Sequence, residues 1–168
     1  MVASQSSPES GSGVESDFAG RIAIESGRPV LLVPHYGHFA HCGRRALIGW
    51  NGTREAARAA FDAVPILKHA DVVYVSRIDA EESEEEGGAY PGAELAKALA
   101  RHGIKTTAER LARSEVDAGE ALLSHASDVG ADLIVMGAYG HGRLREFILG
   151  GATRTILQSM TVPVLMSQ

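Results

Sequence analysis

Gly137, Gly140 and Gly150 follow an apolar run, Asp132 to Met136 (DLIVM), in the spacing G-x2-G-x9-G, and that combination points to anion binding. Gly137 and Gly140 are expected to turn with positive φ and to present backbone N–H groups with no Cβ in the way. Gly150 and Gly151 then open a helix whose unpaired N–H groups and positive dipole end favour a phosphate. Arg143, Arg145 and Arg154 flank this stretch with charge suited to phosphate oxygens. His141 sits inside it, between Gly140 and Gly142. The competing reading is structural: glycines that serve only the course of the backbone, and arginines that are solvated faces of a loop and helix.

Other chemistries lack their residues. No Lys-Ser or Lys-Thr pair follows the glycines, so a Walker A loop is absent, and no serine lies in a Gly-x-Ser-x-Gly elbow. Catalytic residues are therefore not expected. His35, His38, His41 and Cys42 crowd one linker, but H-x2-H-x2-H-C matches no standard zinc spacing, and no metal site is assigned. The acidic run from Glu81 to Glu86, broken only by Ser83, has no His or Cys beside it and reads as a solvated loop.

The elements that must position the glycines alternate between strand and helix. Strand signals fall at Ala46 to Trp50, Asp71 to Ser76, Lys105 to Leu111, Asp132 to Met136 and Pro163 to Met166. Ala57, Ala60, Phe61, Val64 and Leu67 make one helical face, with Pro65 forcing a kink or early stop, and Leu95, Ala98 and Leu99 make a second. Asp117 and Glu120 mark the start of a third helix, Gly130 its end, and Gly151 to Met160 is the fourth. The 168 residues are those of one α/β domain, 45% hydrophobic and 22% charged. A net charge of −5 argues against nucleic acid and acidic membranes as partners. One cysteine, no membrane-length apolar run and a polar opening make the cytoplasm the expected compartment.

The segment Phe18 to Pro34 (FAGRIAIESGRPVLLVP) also resembles Ala152 to Gln168 (ATRTILQSMTVPVLMSQ), with Pro29 aligned to Pro163. Each is a short helix followed by a proline-led apolar strand. Val30 to Val33 is therefore expected to pair with Val164 to Met166, covering that strand's edge within the chain or across a dimer. The chain divides on this reading into a flexible segment 1–16, a helix-strand and linker 17–43, and a main domain 44–168.

The main domain resembles the universal stress protein family, whose nucleotide-binding members carry G-x2-G-x9-G followed by Ser or Thr. Gly151 stands where that hydroxyl residue would be, and Thr153 fits a threonine often found two positions later. The family's first strand ends in Asp-Gly-Ser or similar; here it is Asn51-Gly52-Thr53, so an amide replaces the carboxylate that faces the nucleoside. The resemblance implies a three-layer sandwich of the adenine-nucleotide α-hydrolase-like kind. Its five-stranded parallel sheet would have the order 3-2-1-4-5, with the extra N-terminal helix-strand as the end of a preceding repeat whose strand, by the pseudo-twofold relation of tandem relatives, would run antiparallel to Val164–Met166. It implies an ATP site with Mg at Asn51, Gly52, Thr53, Arg77, Met136, Gly137, Gly140, His141, Gly150, Gly151, Ala152 and Thr153, where the main chain at Arg77 meets adenine. It also implies a homodimer through the last strand. The expected function is a regulatory or stress-response module that binds ATP without substantial turnover. The alternative is a nucleotide-free dimerisation protein whose glycine loop is structural.

Overall fold

The run before Gly137 lies in the middle of a sheet, where continuous apolar character is required because both faces are covered. The computed structural model describes residues 1–5, 18–78, 92–111, 117–138 and 151–168. In chain order the strands are β1 (Val2–Ser4), β2 (Val30–Val33), β3 (Arg45–Trp50), β4 (Val72–Ile78), β5 (Thr106–Leu111), β6 (Leu133–Gly137) and β7 (Val164–Ser167). The helices are α1 (Phe18–Glu25), α2 (Arg54–Asp62), α3 (Val64–Leu67), α4 (Ala93–Ala100), α5 (Ala118–Asp128) and α6 (Gly151–Ser159).

One sheet holds all seven strands in the order β1-β2-β7-β6-β3-β4-β5. The five from β3 to β7 are parallel to one another. One core face packs Leu47, Ile134, Val164 and Met166 under α1, α5 and α6 through Ala23, Leu122, Ala126 and Ile156. The other packs Ile48, Val73, Val75, Leu133 and Val135 under α2, α3 and α4 through Ala59, Ala60, Leu67, Leu95 and Leu99. Three layers result.

Beyond the five parallel strands the sheet gains two more, the first expected and the second not. β2 pairs antiparallel with β7, Val30 opposite Met166 and Leu32 opposite Val164, within the same chain. The edge of β7 on which a homodimer was expected is thus already filled, and a second copy would have to use another surface. β1 then adds parallel to β2, Val2 opposite Leu31 and Ser4 opposite Val33.

That strand corrects the expectation of a flexible opening. Met1 donates its terminal amine to Pro29 O at 2.9 Å, and Gln5, only 8% exposed, is satisfied at both ends of its amide. Its Nε2 donates to Leu157 O at 2.7 Å and Gln158 O at 3.2 Å, capping the last carbonyls of α6. Its Oε1 accepts from the His35 backbone N–H at 3.3 Å and lies 2.8 Å from His35 Nδ1. A composition rich in serine and glycine hid a residue that fastens two elements. Residues 6–16 of that segment and the acidic run lie outside the described residues.

The first helical face is also rotated from its expected position. Ala56, Ala59, Ala60, Ala63 and Leu67 are buried, whereas Phe61 is 45% exposed and Ala57 only half-buried. The helix lies so close to β6 and β7 that only alanine fits beneath it. Pro65 acts as an early stop: α2 ends at Asp62 and the proline sits in the first turn of the separate α3, where its missing N–H is not needed.

At the amino ends of the strands Asp132 gathers the incoming linker. Its Oδ1 accepts from the N–H groups of Gly43 at 3.0 Å and Arg45 at 2.9 Å, and its Oδ2 from that of Arg44 at 3.1 Å. Burial and the neighbouring Asp132 charge raise the pKa of the Cys42 thiol, disfavouring the reactive thiolate.

Candidate functional site

In a parallel sheet the crevice lies beyond the carboxyl ends of the strands where the direction of connection reverses. Here that is between β3 and β6, which are adjacent and in register, Gly49 opposite Met136.

β3 ends at Trp50 and the chain turns through Asn51, Gly52 and Thr53 into α2. Asn51 Oδ1 accepts from Thr53 N–H at 3.2 Å and from Thr53 Oγ1–H at 2.8 Å. The backbone donor fixes which end of the amide is oxygen. Thr53 Oγ1 in turn accepts from Ala56 N–H at 3.3 Å as the helix N-cap. Gly52 takes φ +75°, a conformation that favours glycine. Asn51 is exposed, its oxygen is occupied, and its Nδ2 has no acceptor among the described residues. Where the resemblance implied an acceptor, the turn offers a donor.

Gly137 has a different role from the one its spacing suggested. It does not adopt positive φ. A Cβ there would come within 2.6 Å of Ala56 N and 2.7 Å of the Glu55 carbonyl carbon. Glycine is required because the first turn of α2 rests on the end of β6. That contact joins the Asn51 turn to the end of β6. It also brings in Glu55, which the sequence reading missed. Burial works against the Glu55 charge, but the bond from Arg54, the Glu55 backbone N–H and the Arg54 charge outweigh it and lower its pKa. Its only sequence signal is an acid in a helix first turn.

Across the crevice α6 begins with Gly151, Ala152 and Thr153; Gly151 is exposed and Thr153 buried. Asp117 stands beside this start. Its Oδ2 accepts from Gly119 N–H at 3.0 Å as the N-cap of α5, while a Cβ on Gly151 would lie 3.2 Å from its Oδ1. Gly119 allows the approach, since a Cβ there would meet Ala152 O at 2.7 Å. A carboxylate oxygen therefore lies at the helix end where a phosphate was expected, and a serine at 151 would be crowded by it. A phosphate at this helix end would have to bring a cation with it, because the Asp117 carboxylate repels a bare phosphate and offers a metal only a single oxygen.

Arg77, next to last in β4, lies opposite Trp50 at the rim of the same crevice. The Met136 side chain belongs to the core, which leaves its backbone to the site. Gly140, His141 and Gly150, with Arg143 and Arg145, lie outside the described residues. Among the described residues no group of His, Cys, Asp and Glu is arranged to hold a metal, and no helix is long and apolar enough to cross a membrane.

The family model described as "Universal stress protein family" matches residues 43–168. A universal stress protein of Synechocystis sp. is 36% identical over 69 residues, covering 41% of this chain and 23% of that protein. Among solved structures, a universal stress protein of Archaeoglobus fulgidus superposes with a TM-score of 0.70 at 18% identity over 90% of this chain and 53% of that one. Another, a universal stress protein in complex with cAMP, has a TM-score of 0.53 at 16% identity over 74% of this chain and 97% of that one. The chain thus spans about a quarter of the length of the curated relative and about half that of the Archaeoglobus protein.

Proposed function

Since this chain belongs to the universal stress protein family, we propose that it binds an adenine nucleotide, ATP with magnesium, as a cytoplasmic regulatory module without substantial turnover. The observation that carries the reading is the seating of the Asn51–Thr53 turn and the first turn of α2 on Gly137, at the switch point between β3 and β6. Asn51 Nδ2 faces the ligand as a donor, the start of α6 takes the phosphates, and the free oxygen of Asp117 favours the metal-bound form. The cAMP held by one structural neighbour makes that nucleotide the second to test. Assembly with a second copy, on this reading, uses a surface other than the edge of β7.

Calorimetric titration of the folded protein with ATP and magnesium tests this. Saturable heat, abolished in Gly140→Val, is expected. No heat at millimolar nucleotide would remove ATP from the account. Steady phosphate release lost in the same variant would show an enzyme instead.

A second reading, an interaction protein with a structural glycine loop, is favoured by two observations. Asn51 spends its oxygen on Thr53, and Asp117 places negative charge at the start of α6.

A further inference from the structure

Asn51 is the only asparagine in the chain, and glycine follows it. An Asn-Gly pair can close on itself: the backbone nitrogen of the glycine attacks the side-chain carbonyl carbon. Bulk at the following residue and burial normally hold that reaction back. Neither operates here. Gly52 is exposed, and no atom lies within 4 Å of the place a Cβ would occupy. Its N–H engages no acceptor among the described residues, so the nucleophile is not tied to the fold. The electrophile is prepared: two donors from Thr53, at 3.2 and 2.8 Å, point at Asn51 Oδ1, where negative charge develops when the carbonyl is attacked. The amide nitrogen that must leave is the end with no bond among the described residues.

We propose that Asn51 is a self-modification site at which the chain converts this amide into a carboxylate. The Gly52 nitrogen gives its proton to solvent base and forms a bond to Asn51 Cγ. The tetrahedral oxyanion, held by Thr53, collapses with cleavage of Cγ–Nδ2, and the nitrogen departs with a proton as ammonia. Water then opens the five-membered imide. Cleavage at the side-chain carbonyl leaves aspartate, and cleavage at the main-chain carbonyl leaves isoaspartate. Nothing is oxidised or reduced, and water is the only co-reactant.

The product adds one negative charge to the mouth of the crevice and turns its donor into an acceptor, with the Thr53 bonds retained. Isoaspartate would also lengthen the main chain by one carbon at the entry to α2, shifting the turn that rests on Gly137. The conversion does not depend on nucleotide binding; only its effect on affinity rests on the function proposed above.

The test is intact-mass spectrometry of the folded protein held at mildly alkaline pH, with tryptic digestion at each time point. The expected result is a progressive amide-to-acid mass gain confined to the peptide Ala46 to Arg54, a parallel acidic shift in isoelectric focusing, and loss of both in Asn51→Gln. A folded chain that keeps its mass while the isolated peptide reacts would overturn the proposal, because the turn would then hold the amide out of reach. A gain that persists in Asn51→Gln would overturn it as well. A protein that fails to bind ATP would still show the mass gain, so the two readings fail separately.

Discussion

The two ends of the sheet each place an aspartate over backbone N–H groups, and they use it differently. At the amino ends Asp132 gives both oxygens to the three N–H groups of Gly43, Arg44 and Arg45, while nearby Gln5 caps the last carbonyls of α6. At the carboxyl ends Asp117 gives one oxygen to Gly119 and leaves the other beside the start of α6, and the Asn51 amide nitrogen meets no acceptor among the described residues. One end closes its polar groups on itself; the other leaves some unspent. Unspent polar groups at an exposed crevice are what a ligand can bind, which is why the nucleotide reading points to that end.

The largest effect expected on that contrast comes from Gly137→Ala. The new methyl would strike the backbone of Glu55 and Ala56, costing about 3 kcal/mol by overpacking. It should also displace the Asn51 turn, so that denaturation midpoint and nucleotide affinity fall together. Asp132→Ala should cost about 2 kcal/mol in urea unfolding, because three donors lose a charged acceptor, yet leave calorimetric affinity unchanged. A loss of affinity equal to that of Gly137→Ala would erase the distinction between the ends. The smallest stability change is expected for Asp117→Asn, within about 0.5 kcal/mol of the parent, since asparagine caps helices as well as aspartate. Metal-free ATP should then bind more tightly, and unchanged affinity would show that the Asp117 charge does not reach the ligand.

Much of the fold was legible because the signals were local or repeated. Apolar runs marked β3, β4, β6 and β7, Pro65 stopped α2, and the likeness of Phe18–Pro34 to Ala152–Gln168 anticipated the pairing of β2 with β7. What failed to show depends on what lies opposite. The sequence Val2–Ser4 is too short to announce a strand and becomes one only because β2 offers an edge. Phe61 looked like a core residue by periodicity, but the sheet beneath α2 leaves room only for Ala56, Ala59 and Ala60. Gly137 was located correctly in the crevice yet assigned the wrong physical role, since spacing cannot distinguish a residue that turns from one that is leaned upon. Asp117 was legible as the cap of α5, but its approach to the start of α6 was not, and the three N–H groups that Asp132 gathers are equally invisible in one dimension.

The bond from Gln5 to Leu157 spans 152 positions of sequence, and the pairing of β2 with β7 is almost as distant. Contacts of such separation carry a large closure entropy, and folding that depends on them is slow. During synthesis the apolar strand VLLV leaves the ribosome well before the strand it pairs with and must wait for it until all the residues between them have followed. Until then two sticky edges exist in one nascent molecule, each able to pair with the same edge of another. The arrangement that seals the finished sheet therefore makes the period of translation the most hazardous in the life of this protein.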